Sequence, residues 1–337
     1  MQDLNVEKQF AGDSQGSSVK PTPNDPPWSS AMAFLLWLIS IGLIFFLPAL
    51  FILPYLISKN IQISENPELT NAIIADPVAI AISLGATFAA HVLTMIAAWL
   101  VVTRYREFSF TEMLGWRWGG FKFWHGLLIL IGVYAVALSL TTLLGSQENE
   151  MSKLLESSRS AVILVAIIAT FSAPLVEEVI YRGVVYSAFQ RTFKTPIGNY
   201  IEFLSYFGFI KYLIEKMRKI AFFQNAKVAV ENLQSKYHVH FAVIFVTMIF
   251  AGVHFPQYYP DYAQIISICL VSLVITIIRV KTDNLLPCIA FHLAFNGIQS
   301  AILIAQLYLP LPESLDALPE NTSGIIHFVS SLTFFLI

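Results

Sequence analysis

The chain has 337 residues, of which 56% are hydrophobic and 12% are charged, and its mean hydropathy is +0.66. Because soluble domains carry roughly 25% charged residues, this composition excludes an ordinary soluble domain and indicates a protein with several membrane spans. The formal net charge of −2 offers no basic face, so we expect no nucleic-acid partner. The spacing of the two cysteines, Cys269 and Cys288, predicts neither a disulfide framework nor a zinc–cysteine site.

The predicted elements begin with residues 1–30, a segment rich in Ser, Pro, Asp and Gln that we expect to be a disordered cytoplasmic tail. Eight apolar segments follow, most of them long enough to provide the about 20 residues that a membrane-crossing helix needs. They lie at 31–57, 77–102, 123–144, 160–188, 239–255, 263–280, 285–308 and 324–337. Asp76-Pro77 and Pro287 are typical of helix starts. We therefore predict an all-α polytopic transmembrane helical bundle of about eight spans.

Lysine and arginine are unevenly distributed among the loops. The loops after the second, fourth and sixth segments are basic, whereas those after the first, fifth and seventh are mainly acidic. Because cytoplasmic loops accumulate Lys and Arg, this alternation predicts that the N- and C-termini are both cytoplasmic.

The longest loop, residues 190–238, interleaves cations with aromatic and aliphatic residues. Such a basic amphipathic segment is expected to lie on the anionic inner leaflet of the lipid bilayer, with a soluble helical connector as the alternative. The chain then divides into the tail, an N-terminal three-span region at 31–150, a core at 160–309 that carries this basic insertion, and a C-terminal loop and last span at 310–337.

Three charged residues, Glu177, Glu178 and Arg182, lie within the fourth apolar segment. A charge at bilayer depth costs roughly 2.5 to 3.5 kcal/mol on insertion scales, so we expect these residues to be paired and to face a polar cavity. Glu178 and Arg182 share a helix face and are expected to form an ion pair. Glu177 projects about 100° away from that face, which makes it the candidate general base. An ion cluster that only holds the helices together is the alternative.

Two other segments carry polar residues at helical spacing. Phe250 and His254 share one face of the fifth segment, and His292 and Asn296 share one face of the seventh. Such groups in lipid either join helices by hydrogen bonds or serve in catalysis. We expect the fifth helix to start in the cytoplasmic interface and to end after His254, at Phe255-Pro256, so that the two histidines meet at one depth.

The motifs Glu177-Glu178-x-x-x-Arg182, Phe250-x-x-x-His254 and His292-x-x-x-Asn296 occur in this order on three predicted helices. This ordered trio resembles the three motifs of the CPBP (CaaX protease and bacteriocin-processing) intramembrane proteases, which include the type II CAAX prenyl endopeptidases and the abortive-infection proteins. The resemblance covers about residues 160–300 and includes the approach Ala173-Pro174-Leu175-Val176. The basic insertion at 190–238 is a departure from compact members.

The resemblance implies an intramembrane endopeptidase that cuts a membrane-associated peptide or protein near the cytoplasmic face. Together with the two cysteines and the absence of an export signal, it leads us to expect a prokaryotic inner membrane. By analogy, Glu177 activates the attacking water with help from His254. His292 and Asn296 stabilise the oxyanion, and Arg182 with Glu178 holds the first helix in place.

Two questions stay open at this level. Glu177, His254 and His292 could bind a divalent metal such as zinc, but the chain has no His-Glu-x-x-His helix, and a glutamate base without metal is equally consistent with the motifs. An ion or proton-coupled transporter, or a noncatalytic membrane scaffold or immunity protein, would also retain buried charges. His91, a lone histidine in the second segment, is expected to pack there.

Overall fold

The computed structural model describes residues 20–61, 73–197, 199, 212, 214–217 and 220–308. Within these residues the protein is helical and contains no strands. Its helices are α1 (Ser30–Ser58), α2 (Pro77–Thr103), α3 (Phe110–Leu114), α4 (Phe123–Leu144), α5 (Glu150–Ser157), α6 (Arg159–Lys194), α7 (Ala221–Tyr258), α8 (Tyr262–Thr282) and α9 (Leu286–Tyr308). The predicted all-α polytopic bundle is confirmed.

Seven of the described helices, all except α3 and α5, are long and apolar enough to cross a membrane. Their surfaces expose large apolar side chains, including Phe46 at 76% and Leu128 at 69% of their accessible area. Soluble monomers rarely expose extended apolar surface, so this outer surface is suited to lipid and the protein is an integral membrane protein. The eighth predicted segment, 324–337, lies outside the described residues.

The predicted helix starts are found in the structure. Asp76 caps α2 because its side chain accepts hydrogen bonds from the backbone N–H groups of Val78 and Ala79, and Pro77 occupies the first turn, where its missing N–H does no harm. Pro287 occupies the corresponding place in α9.

The last residues of the predicted N-terminal tail pack against the bundle. Trp28 is buried, and its indole Nε1 donates to the Val184 carbonyl at 3.1 Å. The Arg279 side chain donates to the Pro23 carbonyl at 3.0 Å. Residues 20–29 are therefore ordered, because a large aromatic side chain finds both apolar cover and a hydrogen-bond partner there. They lie at the end of the bundle where α8 finishes; the side of the membrane that this end faces stays a prediction.

The helix α7 differs from the predicted fifth span at both ends. It starts at Ala221 and continues through Phe255-Pro256 to Tyr258, so the prediction that the helix stops at Phe255-Pro256 is wrong. Pro256 lies inside the final turn, where a proline removes only one backbone hydrogen bond. The Tyr259 N–H then donates to the Phe255 carbonyl at 3.0 Å and closes the helix.

The connection between α8 and α9 is tucked against the segment around α3. The Leu285 N–H donates to the Gly115 carbonyl at 2.8 Å. Gly119 has φ +56°, and a Cβ there would lie 2.5 Å from the Thr282 carbonyl oxygen. Only glycine permits this close approach in that conformation. These contacts hold the connection before α9 against the residues that follow α3.

Candidate active site

Glu177 lies in α6 between two π-helical segments, Ile168–Ser172 and Glu178–Val185. Single π-helical turns are rare and occur often at functional sites. Pro174 removes a backbone donor from this part of the helix, and the sequence did not predict the two wider turns. The combination leaves backbone carbonyls of α6 in need of other donors.

One such carbonyl belongs to Ala169. In the first π-helical segment the Ala173 N–H donates to Ile168, five residues earlier. The next residue in that register is Pro174, which has no N–H to offer Ala169. The Asn296 side-chain amide supplies the donor instead, with Nδ2 at 2.9 Å from the Ala169 oxygen. Asn296 therefore holds α9 against α6.

The predicted ion pair between Glu178 and Arg182 is confirmed. Glu178 Oε1 accepts hydrogen bonds from Arg182 Nη1 at 3.0 Å and from His292 Nδ1 at 2.8 Å. Both members of the ion pair have side chains that are 0% exposed. A buried carboxylate is tolerated only when it is paired and hydrogen-bonded, so this cluster fixes the orientation of the His292 ring.

The rest of the Arg182 guanidinium contacts α8. Its Nε donates to Thr276 Oγ1 at 3.2 Å, and its Nη2 donates to the carbonyl and hydroxyl oxygens of Ser272 at 2.9 and 2.7 Å. The guanidinium carbon also lies 4.7 Å from the centroid of the Phe250 ring. Sequence reasoning missed α8, although Ser272 and Thr276 are four residues apart on one face of an apolar segment.

His254 and His292 both point their Nε2 atoms toward the Glu177 carboxylate. His254 Nδ1 donates to the Phe250 carbonyl at 2.7 Å, and His292 Nδ1 donates to Glu178. A neutral imidazole that donates through Nδ1 keeps a lone pair on Nε2. His254 Nε2 lies 3.9 Å from Glu177 Oε1, and His292 Nε2 lies 3.8 Å from Glu177 Oε2.

These three side chains enclose a small cavity of about 20 Å³. A polar cavity needs roughly 10–15 Å³ to hold one water molecule. The separations of 3.8 and 3.9 Å are too long for direct hydrogen bonds and suit groups that share a water. The cavity is lined by Glu177, Phe250, His254, Ser267, Ile268, Val271, His292, Phe295 and Asn296. The arrangement can therefore hold a single water between a carboxylate and two imidazoles.

The structure brings the six predicted site residues together in two groups. Glu177, His254, His292 and Asn296 line the cavity, while Glu178 and Arg182 lie behind it and contact His292 and α8. The motifs were predicted on the fourth, fifth and seventh segments, and α8 also contributes Ser267, Ile268 and Val271 to the wall of the cavity. The catalytic roles of the six residues stay predictions.

The distances between Glu177, His254 and His292 can be compared with those between the ligands of a zinc ion. Among the described residues, no group of three or more His, Cys, Asp or Glu side chains is arranged to hold a metal ion. Two ligands of a tetrahedral zinc, each about 2.0–2.1 Å from it, lie about 3.3 Å apart, which is shorter than the 3.8 and 3.9 Å measured from Glu177 to the histidines. These side chains do not fit zinc as they stand, and zinc binding stays a prediction.

Part of the chain that contains this site matches a known protein family. Residues 159–298 match the family model described as type II CAAX prenyl endopeptidase Rce1-like. No curated protein and no solved structure matches the chain. The matched range contains all six site residues and leaves out α1, α2 and α4. This match supports a CAAX-protease-like intramembrane endopeptidase at the family level. Residues 159–298 are thus an Rce1-like domain of the type II CAAX prenyl endopeptidases, consistent with a protease of the CPBP family.

Proposed function

We propose that Glu177 activates a water molecule that hydrolyses a peptide bond of a membrane-associated substrate. The observation that carries this proposal is the cavity of about 20 Å³ in which the Glu177 carboxylate faces Nε2 of both His254 and His292. A water in this space would donate hydrogen bonds to two of these three acceptors and present an oxygen lone pair to the carbonyl carbon of a substrate.

The proposed reaction conserves protons. Glu177 accepts a proton from the water, and the water oxygen bonds to the carbonyl carbon of the scissile peptide bond. Glu177 then returns the proton to the amide nitrogen as the carbon–nitrogen bond breaks. The products are a new carboxylic acid and a new amine, and transfer of the acid's proton to the amine gives a C-terminal carboxylate and an N-terminal ammonium group.

The tetrahedral intermediate carries a negative oxygen that needs donors. His292 would donate to this oxygen through Nε2 only with a proton on each ring nitrogen, and the Glu178 carboxylate on its Nδ1 would stabilise the positive charge of that form. Asn296 commits one amide hydrogen to Ala169 and has a second for the oxyanion. Glu178 and Arg182 are positioning residues in this scheme, because they act through His292.

No step of the proposed reaction uses a metal ion. The proposed substrate is a membrane-associated peptide or protein, since the site lies inside a bundle whose outer surface is suited to lipid. A cut near the cytoplasmic face of a prokaryotic inner membrane follows only from the loop charges and the family resemblance. Docking of the insertion 190–238 on the inner leaflet has the same basis, and much of that insertion lies outside the described residues.

The test compares new peptide termini by mass spectrometry in cells that express equal amounts of the native chain or of Glu177→Gln. Specific termini should disappear in Glu177→Gln, which removes the base with little change of size. Glu107→Gln, a change at an exposed carboxylate, is the matched control and should leave the termini unchanged. Identical termini from the native chain and from folded Glu177→Gln would refute the proposed role of Glu177.

A further inference from the structure

A groove of about 600 Å³ lies between α4 and α9. Its volume falls in the range of roughly 300–1,000 Å³ that is usual for ligand-binding pockets. Its lining residues are all apolar or aromatic: Trp118, Phe121, Phe123, Gly126, Leu127, Leu130, Ala290, Phe291 and Ala294. Because Gly126, Ala290 and Ala294 are small, the two helices leave room between them for an apolar chain.

The groove and the one-water cavity lie on different faces of α9. Ala290 and Ala294 line the groove, whereas His292 and Asn296 line the cavity. Since successive positions of a helix are about 100° apart, the first pair projects to nearly the opposite side of α9 from the second. An occupant of the groove would therefore touch the helix that carries His292 and Asn296 without entering the candidate active site.

The groove starts at the end of the bundle where α4 begins. Trp118 and Phe123 lie at this end and are exposed, whereas Leu130 is buried and lies about 10 Å further along α4. Tryptophan is enriched at the interfaces between membrane and water. The groove thus extends from one interface toward the middle of the bilayer, which is the direction of an acyl chain whose headgroup stays at the surface.

Two cations border this entrance. Arg117 precedes Trp118, and Lys122 lies between Phe121 and Phe123, so both cations are next to residues that line the groove. Both are exposed, and neither forms an ion pair with another of the described residues. Long cationic side chains at a membrane surface place their charged ends among the lipid headgroups. Arg117 and Lys122 are therefore available to an anionic group at the entrance.

His125 adds a neutral donor to the entrance. The Lys122 backbone N–H donates to His125 Nδ1 at 3.3 Å, so the neutral ring carries its proton on Nε2. The ring meets that of Phe121 edge to face with centroids 5.9 Å apart, which places it beside the groove. Residues 113–147 contain no Asp or Glu. The segment that forms the entrance therefore offers positive charge and hydrogen-bond donors without a carboxylate of its own.

We propose that this groove binds one anionic glycerophospholipid, with an acyl chain between α4 and α9 and its phosphate at Arg117, Lys122 and His125. A zwitterionic lipid would fill the same groove, but its cationic headgroup would meet like charges. Phosphate alone would leave the apolar groove empty. The assignment agrees with the predicted cytoplasmic position of this loop, because the anionic lipids lie in the cytoplasmic leaflet.

The test compares two lipids that differ only in the headgroup. The purified full chain in detergent is titrated with dioleoyl phosphatidylglycerol or dioleoyl phosphatidylcholine, and native mass spectrometry gives Kd for the first bound lipid. Each Lys or Arg near an anionic lipid contributes about a fivefold change of Kd. The native chain should therefore bind phosphatidylglycerol about 5- to 25-fold more tightly than phosphatidylcholine.

A double substitution tests the cations. Arg117→Gln with Lys122→Gln should remove most of the preference for phosphatidylglycerol. Arg104→Gln with Lys236→Gln is the matched control, because it removes the same charge from exposed cations elsewhere and should keep the preference.

The groove is tested by filling it. Ala294→Phe should raise the Kd for phosphatidylglycerol several-fold, because the added ring occupies the space of the chain. Ala301→Phe is the matched control, since Ala301 is exposed on the same helix about two turns further on and does not line the groove. Thermal unfolding of each variant shows whether it is folded.

Three results would overturn the inference. Equal Kd values of the two lipids for the native chain would indicate ordinary contact with the surrounding bilayer. A preference that survives Arg117→Gln with Lys122→Gln would exclude the cations, and equal Kd values for Ala294→Phe and Ala301→Phe would exclude the groove. A dimer in the mass spectrum that Ala294→Phe abolishes would assign the groove to a second copy of the chain and overturn the lipid. Glu177→Gln should leave Kd unchanged, so the lipid site is decided independently of the proposed function.

Discussion

Arg182→Met should strongly destabilise the protein, because it breaks a buried ion pair from one side. The guanidinium of Arg182 donates to Glu178, Thr276 and Ser272, and none of its side chain is exposed. Without it, Glu178 keeps only the hydrogen bond from His292 and remains a buried charge. Removing one member of such a pair costs about 3–5 kcal/mol.

Two further variants separate charge from hydrogen bonding. Arg182→Lys keeps a positive charge but has no planar fork, so it should lose part of the contact with α8 and fall between the native chain and Arg182→Met. The double variant with Glu178→Gln buries no unpaired charge. Its loss of stability should therefore be smaller than the sum of the two single losses.

The free energy of unfolding can be measured by denaturant titration in a mild detergent, with helix content as the signal. Arg104→Met is the matched control, because the Arg104–Glu107 pair is exposed at 4.0 Å and exposed pairs contribute about 0–1 kcal/mol. Equal stability of Arg182→Met and Arg104→Met would refute the reasoning. Strictly additive effects of Arg182→Met and Glu178→Gln would refute it as well.

Two more substitutions test how α9 is placed. Gly119 and Gly120 both have positive φ, but a Cβ at Gly119 would lie 2.5 Å from a backbone oxygen of α8, whereas a Cβ at Gly120 would meet nothing within 4 Å. Gly119→Ala should therefore lower thermal stability more than Gly120→Ala. Equal losses would contradict the close approach. Asn296→Ala should cost about 1–3 kcal/mol by leaving the Ala169 carbonyl unpaired, and less in a Pro174→Ala background that supplies a backbone N–H. An unfolding titration of the four combinations checks this coupling, and independence of the two sites would argue against it.

The spans were predictable because membrane insertion depends on local composition. The predicted segment 123–144 coincides with α4, and the predicted segment 77–102 matches α2 to within one residue. The limits of α7 were not predictable in the same way. Its first residues, from Ala221 to about 239, are less apolar than a span. The helix also continues past Pro256, although a proline usually ends a helix.

Within the site, the sequence predicted what is local to one helix. The Glu178–Arg182 pair follows from a spacing of four residues. The residues that surround this pair were harder to find, because Ser272 and Thr276 are ordinary small polar residues in an apolar segment.

By itself the sequence determined an all-α membrane bundle, the order of its described spans and the polar residues that meet at the candidate site, because hydropathy and helical spacing are local properties. Only the tertiary structure decided that His292 meets Glu178 across 114 residues of sequence, that α8 contacts Arg182, and that His91 contacts Ser172 of α6. Those contacts depend on how the helices pack, and packing is set by the fit of whole helix surfaces and the burial of their polar groups.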